Sequence, residues 1–323
     1  MIRHLLGIEG LTLEELEHLL LNAASFVEVS KRDIKKVPSL RGKTIINFFM
    51  EPSTRTRTSF EIAGKRLSAD TINVSGSSSS VVKGETLLDT ARSLEAMNPD
   101  AIVVRHKASG APHFLARHLS DTVIINAGDG MHEHPTQALL DCLSLQQHFV
   151  ERPQGIKGLT IAIVGDIRHS RVVRSNIWAH KLLGNKVRLV APPTLIPPEF
   201  LHPDCFGDPS FLSIHHKLEE GLEGVDVIMG LRLQMERQSQ FFIPSVQEYT
   251  NEYFVSSNLV DRLAPQAVVL HPGPVNRGVE IATDLVDGPR SLVSRQVNNG
   301  VAVRMAVLFA CCTGDRLERE EAA

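Results

Sequence analysis

Residues 48–58 read Phe48-Phe49-Met50-Glu51-Pro52-Ser53-Thr54-Arg55-Thr56-Arg57-Thr58. Clustered hydroxyls and guanidinium groups are what a protein uses to hold a phosphate or a carboxylate. A hydroxyl donates one hydrogen bond, and a guanidinium adds charge-assisted, often bidentate ones. The flanks say where this chemistry sits. Residues 43–50, Lys-Thr-Ile-Ile-Asn-Phe-Phe-Met, are β-branched and aromatic, follow Gly42, and predict a buried strand. Beyond the segment, Phe60, Ala63, Gly64 and Leu67 recur at helical spacing. The polar residues therefore stand where a strand ends and a helix begins. A helix start offers unpaired N–H groups and the positive end of the macrodipole, which is a site for an anion. A helix cap needs one hydroxyl; three hydroxyls and two arginines behind a buried strand go beyond capping.

The pattern Phe49-x-Glu51-x-Ser53-Thr54-Arg55-Thr56-Arg57 resembles the carbamoyl-phosphate signature of the aspartate/ornithine transcarbamoylase family. Four further stretches, reaching residue 274, extend the resemblance and favour its aspartate branch. Residues 75–82 are mostly serine, which on composition is a flexible linker, but they run into Lys83-Gly84-Glu85-Thr86 and a helix over 85–97. In the family this is a loop lent by a neighbouring subunit, with Lys83 and Ser79 as the matching residues. Residues 100–106 predict a strand ending in Arg105-His106. An arginine there points to the mouth of an open α/β sheet or forms an ion pair, and the resemblance makes it a phosphate ligand. Residues 122–129 predict the next strand, leading to His132-Glu133-His134-Pro135-Thr136-Gln137 and a helix over 138–149. His132-x-His134 invites a metal, yet no third ligand is spaced to complete a tetrahedral site, so no metal is expected. The resemblance instead directs His134 to the carbamoyl oxygen and Gln137 to the carbamoyl nitrogen.

Residues 151–158 are polar and rich in turn formers, as a domain boundary should be. Residues 159–166 then read as the first strand of a nucleotide-binding unit, but the turn after it carries Arg168, Arg171 and Arg174 in place of the glycines that admit a dinucleotide. Parallel strands are expected over 187–191 and 226–230, with a helical pattern near 198–200 between them. The last strand and turn run over 267–274, where carbonyls released by Pro272-Gly273-Pro274 can accept from an amine. By resemblance Arg171 takes the α-carboxylate of aspartate, Arg232 and Gln234 its side-chain carboxylate, and Pro272 and Gly273 its amine. Glu51 and Arg237 pair when the domains close. An ornithine enzyme should lack Arg232-x-Gln234 and carry cysteine where Pro272 stands.

The elements that must hold these groups read as α/β throughout. Thr12-Leu13-Glu14-Glu15 is a capping box ahead of a helix with Leu16, Leu19, Leu20 and Ala23 on one face. Two domains are expected, 1–137 for carbamoyl phosphate and 138–293 for aspartate. Each is a parallel sheet flanked by helices, with the active site in the interdomain cleft. A helix over 294–312, stopped at Gly314 and showing Val297, Val301, Met305 and Leu308 on one face, should lead a C-terminal segment to 323 back onto the first domain. The 323 residues are 42% hydrophobic and 22% charged, which fits a globular chain and not disorder. No apolar run reaches bilayer length and no leader is evident, so a cytoplasmic protein is expected. A net charge of −3 gives no footprint for nucleic acid. The four cysteines show no metal spacing and read as reduced core thiols.

The resemblance implies carbamoyl transfer from carbamoyl phosphate to the α-amine of L-aspartate, with no cofactor. Ser53, Thr54, Arg55, Thr56 and Arg105 would cradle phosphate, and Thr56, Arg105 and a neutral His134 would stabilise the oxyanion. It also implies a homotrimer with shared sites, and allows regulatory or dihydroorotase-type chains as further partners. An enzyme for another amine, a two-lobed binding protein without catalysis, and a nicotinamide oxidoreductase are the competing readings. The export signal usual for such a binding protein and the glycine fingerprint of the oxidoreductase are both missing from the chain.

Overall fold

The computed structural model describes residues 2–76, 85–202, 205–206, 208, 210–235 and 242–321. The chain forms two compact units, Met1–Leu143 with Asn298–Ala323, and Ser144–Val297. The sequence reading placed the divisions at 137/138 and 293/294; the contacts place them at 143/144 and 297/298, each inside a helix.

The first unit begins with α1 (Leu13–Lys31). Its capping box forms as the sequence expects: Thr12 Oγ1 accepts from Glu15 N (3.2 Å), and Glu15 Oε2 accepts from Thr12 N (3.0 Å). Then follow β1 (Thr44–Phe49), α2 (Thr54–Arg66), β2 (Asp70–Ser75), α3 (Leu87–Glu95), β3 (Ala101–His106), α4 (Ala111–His118), β4 (Val123–Asp129) and α5 (Pro135–His148). The sheet is wholly parallel in the order β2-β1-β3-β4. Strands β1, β3 and β4 are buried almost throughout, which explains their continuous apolar runs. Ile46, Phe48, Ile102, Val104 and Ile124 meet Ala91 and Leu94 of α3 and Leu115 of α4 in one core cluster. Phe60, fully buried in the second turn of α2, is an anchor whose truncation to alanine removes roughly 3–5 kcal/mol.

The second unit contains β5 (Thr160–Val164), α6 (Arg171–Leu182), β6 (Lys186–Val190), β7 (Leu212–His215), α7 (Leu218–Leu222), β8 (Val227–Gly230), α8 (Val246–Tyr253), α9 (Ser257–Leu263), β9 (Val268–Leu270) and α10 (Thr283–Asp287). Its sheet is also parallel, in the order β7-β6-β5-β8-β9. The last helix, α11 (Val293–Glu321), passes from the second unit into the first. Strand β7 and helices α4, α6, α7, α8, α9 and α10 are absent from the sequence reading. Leu212-Ser-Ile-His215 is too short an alternation to stand out, and residues 198–201 form only a 3-10 turn. Two expectations about α11 are corrected. It runs through Gly314, because one glycine in a helix interior is only about 1 kcal/mol worse than alanine and good helix formers follow it. Val297 is 59% exposed, whereas Met305 and Leu308 are buried as expected. Cys142, Cys311 and Cys312 are buried free thiols, and burial pushes the Cys312 thiol up to about 12.

Candidate active site

In each sheet the strand order reverses at one place, and ligands of open α/β sheets bind beyond the carboxyl ends of the strands there. In the first unit that place is the β1/β3 boundary. The chain leaves β1 at Met50, whose N–H is bonded to Arg105 O (2.8 Å), and enters α2 at Thr54. Ser53 occupies the cap position of α2 but makes no capping bond with its side chain. The first turn holds no acidic residue. Thr56 is buried, Ser53 half-buried and Arg55 exposed. The end of β3 places Arg105 beside them, 8% exposed. Its Nη1 donates to Ala127 O (3.2 Å) and its Nη2 to Glu51 Oε1 (3.0 Å). The guanidinium and Glu51, assigned to different partners from sequence, here pair with each other.

The end of β4 adds the third part. Asp129, fully buried, accepts from Gly110 N (2.6 Å), Asn126 Nδ2 (2.8 Å) and Glu133 N (3.2 Å), which fixes the turn into α5. Glu133 in turn accepts from Ile8 N (2.8 Å) and Glu9 N (3.2 Å). His134 immediately precedes α5, Pro135 takes the first helical position, and Gln137 N is bonded to His134 O (2.9 Å). Both His134 and Gln137 are buried. Gln137 Nε2 donates to Asp141 Oδ1 (2.8 Å), an orientation that turns Oε1 to accepting from another group.

In the second unit the reversal lies between β5 and β8. Gly165 has φ +129°, and a Cβ there would lie 2.5 Å from Leu231 O, so only glycine lets the two strand ends approach. Asp166, fully buried, accepts from His169 Nδ1 (2.8 Å) and N (3.2 Å), and from Gln234 N (3.1 Å). One carboxylate thus ties the turn carrying Arg171 to the loop carrying Arg232 and Gln234. Arg171 is buried at the first position of α6, capped by Ser170. Arg232 and Gln234 are half-buried. After β9, His271 N donates to Gln296 Oε1 (3.0 Å) and His271 Nδ1 accepts from Gly273 N (2.9 Å). Glu280 Oε1 accepts from Asn276 N (2.6 Å) and lies 3.3 Å from His271 Nε2. Pro272 and Gly273, the latter at φ +64°, are held inside this frame.

The amino-acid sequence matches two family models that together cover most of the chain. One is the carbamoyl-P binding domain of aspartate/ornithine carbamoyltransferase, over residues 3–147, and the other its Asp/Orn binding domain, over 157–311. The chain belongs to the aspartate/ornithine carbamoyltransferase family. It is 57% identical to the aspartate carbamoyltransferase catalytic subunit of Magnetococcus marinus, over 97% of this chain and 93% of that one. The structure is similar to Trypanosoma cruzi aspartate transcarbamoylase in complex with carbamoyl phosphate and aspartate, at 30% identity and a TM-score of 0.82, covering 95% of this chain and 96% of that one. It is also similar to ornithine carbamoyltransferase from Thermus thermophilus, at 28% identity and a TM-score of 0.81, covering 96% and 99%. The backbone alone therefore does not separate the two branches of the family.

Of the carbamoyltransferase residues named from sequence, the fold brings Ser53–Arg57, Arg105, His134 and Gln137 to three neighbouring strand ends of the first unit. Arg171, Arg232, Gln234, Pro272 and Gly273 come to strand ends of the second. Ser79, Lys83 and Arg237 lie outside the described residues. Sequence reasoning missed Asp129, Asp166, Asp141, Glu280 and Gln296, which hold the site residues in place. A carboxylate following glycine at a strand's end, as in Gly-Asp129 and Gly-Asp166, was the available signal for the first two.

One cluster corrects the sequence reading of the histidines. The third group near His132 comes from α4: His113, Asp129 and His132 bring ligand atoms within 4.8 Å of one another, and His134 is not among them. Asp129 already accepts three other hydrogen bonds, so we read the contact of His132 Nδ1 with its Oδ2 (3.1 Å) as a hydrogen-bonded pair. The bond to Asp129 raises the His132 pKa against the effect of burial. Burial pushes the Asp129 carboxyl up, but the bonds from His132 and Asn126 outweigh it and leave it lowered. The His132 contribution is complete below its ordinary value, about 6.5, and is lost as pH rises through the raised one; that of Asp129 is complete above about 3.9 and is lost on acidification. The pair therefore stabilises most between these limits. His132→Asn should be less stable than the parent at pH 6, with thermal midpoints converging as pH is raised towards 8. A gap independent of pH over that range would contradict the pairing.

Proposed function

We propose that this chain transfers the carbamoyl group of carbamoyl phosphate to the α-amine of L-aspartate, giving N-carbamoyl-L-aspartate and phosphate, a step of pyrimidine biosynthesis. The observation that carries the reading is the pair of arginine-furnished switch points. The first unit's gathers Ser53, Thr54, Arg55, Thr56 and Arg105 around a helix start, as a phosphate requires. The second unit's offers two arginines, Arg171 and Arg232, which suit a dicarboxylate and repel a substrate ending in an ammonium. The similarity to the Magnetococcus marinus and Trypanosoma cruzi aspartate enzymes supports the same assignment.

The chemistry forms a bond from the amine nitrogen to the carbamoyl carbon and breaks the bond from that carbon to the phosphate oxygen. Phosphate departs with the electron pair and takes up the proton that the amine loses. No covalent intermediate and no cofactor is called for. Holding the two anions side by side removes the entropic part of the barrier. Thr56, Arg105 and a neutral His134 are assigned to the oxyanion of the tetrahedral centre, and Gln137 Oε1 to the carbamoyl N–H. Phosphate competes with Glu51 for Arg105, and the displaced carboxylate then becomes available to Arg237. Pro272 and Gly273 carbonyls receive the amine. We assign Lys83 and Ser79 to a loop given by a neighbouring subunit of a homotrimer. Regulatory or dihydroorotase-type chains are the further partners this reading admits, and the cytoplasm is its expected location. Among the described residues, no helix is long and apolar enough to cross a membrane.

The direct test is turnover of carbamoyl phosphate by the purified chain with aspartate and with ornithine as acceptors; ornithine as the better acceptor would refute the assignment. Arg232→Ala sharpens it. Its KM for aspartate should rise on the order of a hundredfold, as for loss of a charge-assisted contact, while KM for carbamoyl phosphate changes little. Equal weakening of both substrates would reject the division of labour between the units.

A further inference from the structure

Arg304 sits in the apolar run Val301-Ala-Val-Arg-Met-Ala-Val-Leu308 of α11 and is 4% exposed. Its Nη1 donates to Gly300 O (2.8 Å), and its guanidinium carbon lies 5.2 Å from the centre of the Phe60 ring. Its Nε is buried without a hydrogen-bond partner, and no carboxylate among the described residues pairs with it. A charge taken out of water is normally matched by an opposite charge, because desolvation is otherwise uncompensated. A carbonyl and a ring face are weak substitutes. Burial, and to a lesser extent the charge of Arg55, lowers the Arg304 pKa to about 9, so the group remains a cation at neutral pH and lies within the electrostatic reach of Arg55.

The surroundings give this unmatched cation a direction. Phe60 lies about 9 Å along the axis of α2 from Thr54. The start of α2 already carries the positive end of the helix dipole and Arg55, and its first turn has no acidic residue to offset them. Two positive contributions therefore lie at the helix start, and Arg304 adds a third from about two turns along it.

We propose that Arg304 supports the anion site from beneath: its charge deepens the positive potential at the start of α2 and tightens the hold on the phosphate of carbamoyl phosphate without touching it. This rests on the phosphate assignment to Ser53–Thr56. Arg304 is thus a positioning residue for the donor substrate, kept buried and unmatched because its counter-ion is the ligand.

The test uses Arg304→Met, which keeps the length and loses the charge, and Arg304→Lys, which keeps the charge. Inorganic phosphate is the probe, by calorimetry and by the rise it produces in the thermal midpoint. Arg304→Met should bind phosphate about tenfold more weakly, the effect of one charge at partly screened range, with KM for carbamoyl phosphate raised alike and KM for aspartate unchanged. Without phosphate its midpoint should equal or exceed the parent's, since an uncompensated buried charge has gone. Arg304→Lys should retain most of the phosphate affinity. Parental phosphate affinity in Arg304→Met, whatever its stability, overturns the proposal; so does an Arg304→Lys protein that folds but binds as weakly as Arg304→Met. Arg55→Ala separates the two levels. If it too binds phosphate like the parent, the anion site itself is misplaced; if it loses binding while Arg304→Met does not, only the role of Arg304 fails.

Discussion

Arg55→Ala should lower turnover by roughly two to three orders of magnitude, the usual loss when a well-placed donor to developing charge is removed. The residue is the second of α2 and its side chain is exposed, so no core contact goes with it. The backbone role of the position survives, since Ser59 Oγ donates to Arg55 O (2.8 Å) and that carbonyl remains in the variant. Circular dichroism and the thermal midpoint should therefore be close to the parent's while kcat falls. Carbamoyl phosphate at saturating concentration should not restore the rate, because the lost contact is strongest as charge moves onto the departing phosphate. A variant with near-parental kcat and KM would take the helix start out of the reaction.

The second large effect concerns assembly. The reading of Lys83 as a group given to a neighbour makes each site the product of two chains. A closed ring of three uses head-to-tail contacts, so every subunit both gives and receives. Lys83→Ala chains would keep a sound receiving site and give a defective loop; His134→Ala chains would do the reverse. Each homotrimer should be nearly inactive. When the two are dissociated, mixed and reassociated, some sites combine an intact His134 with an intact Lys83, and a substantial fraction of the parental rate should return. Hybrids shown by mass spectrometry to be mixed, yet as inactive as their parents, would disprove sharing.

Much of the site was legible because its groups cluster in sequence as well as in space. Ser53 to Arg57 are five consecutive residues at one helix start, and Arg232 and Gln234 are two apart on one loop. Strand ends, not helix faces, carry the ligands, and a strand end is easily read as a buried apolar run meeting a charge: Val-Val-Arg105, Ile-Met-Gly-Leu-Arg232. The groups that hold these ligands were harder to see. Asp129 and Asp166 act through backbone N–H groups of distant or turn residues, and Glu280 works on His271 and Asn276 across a loop whose geometry no periodicity reveals. Arg304 was hidden by the opposite effect: it was absorbed into an apolar helix face when its charge among valines and alanines was itself the anomaly. The end of α11 was misjudged because glycine was given a stopping power that it lacks in the interior of a strongly helical run.

From Asn298 onward, helix α11 belongs to the unit that the chain starts with, although the whole second unit is made in between. Phe309 meets Phe26 of α1 edge-on, with ring centres 6.0 Å apart, and Arg304 lies over Phe60. On a ribosome, the first 143 residues must therefore wait for the last stretch of the same polypeptide before these surfaces are covered. At about 5–20 residues per second that interval is on the order of ten seconds or more. The second unit is continuous and has no such wait. A nascent chain halted just after Val297 would hold the later-made unit complete and the earlier-made one open, with its apolar face available to chaperones. Order of synthesis and order of completion are thus inverted in this molecule.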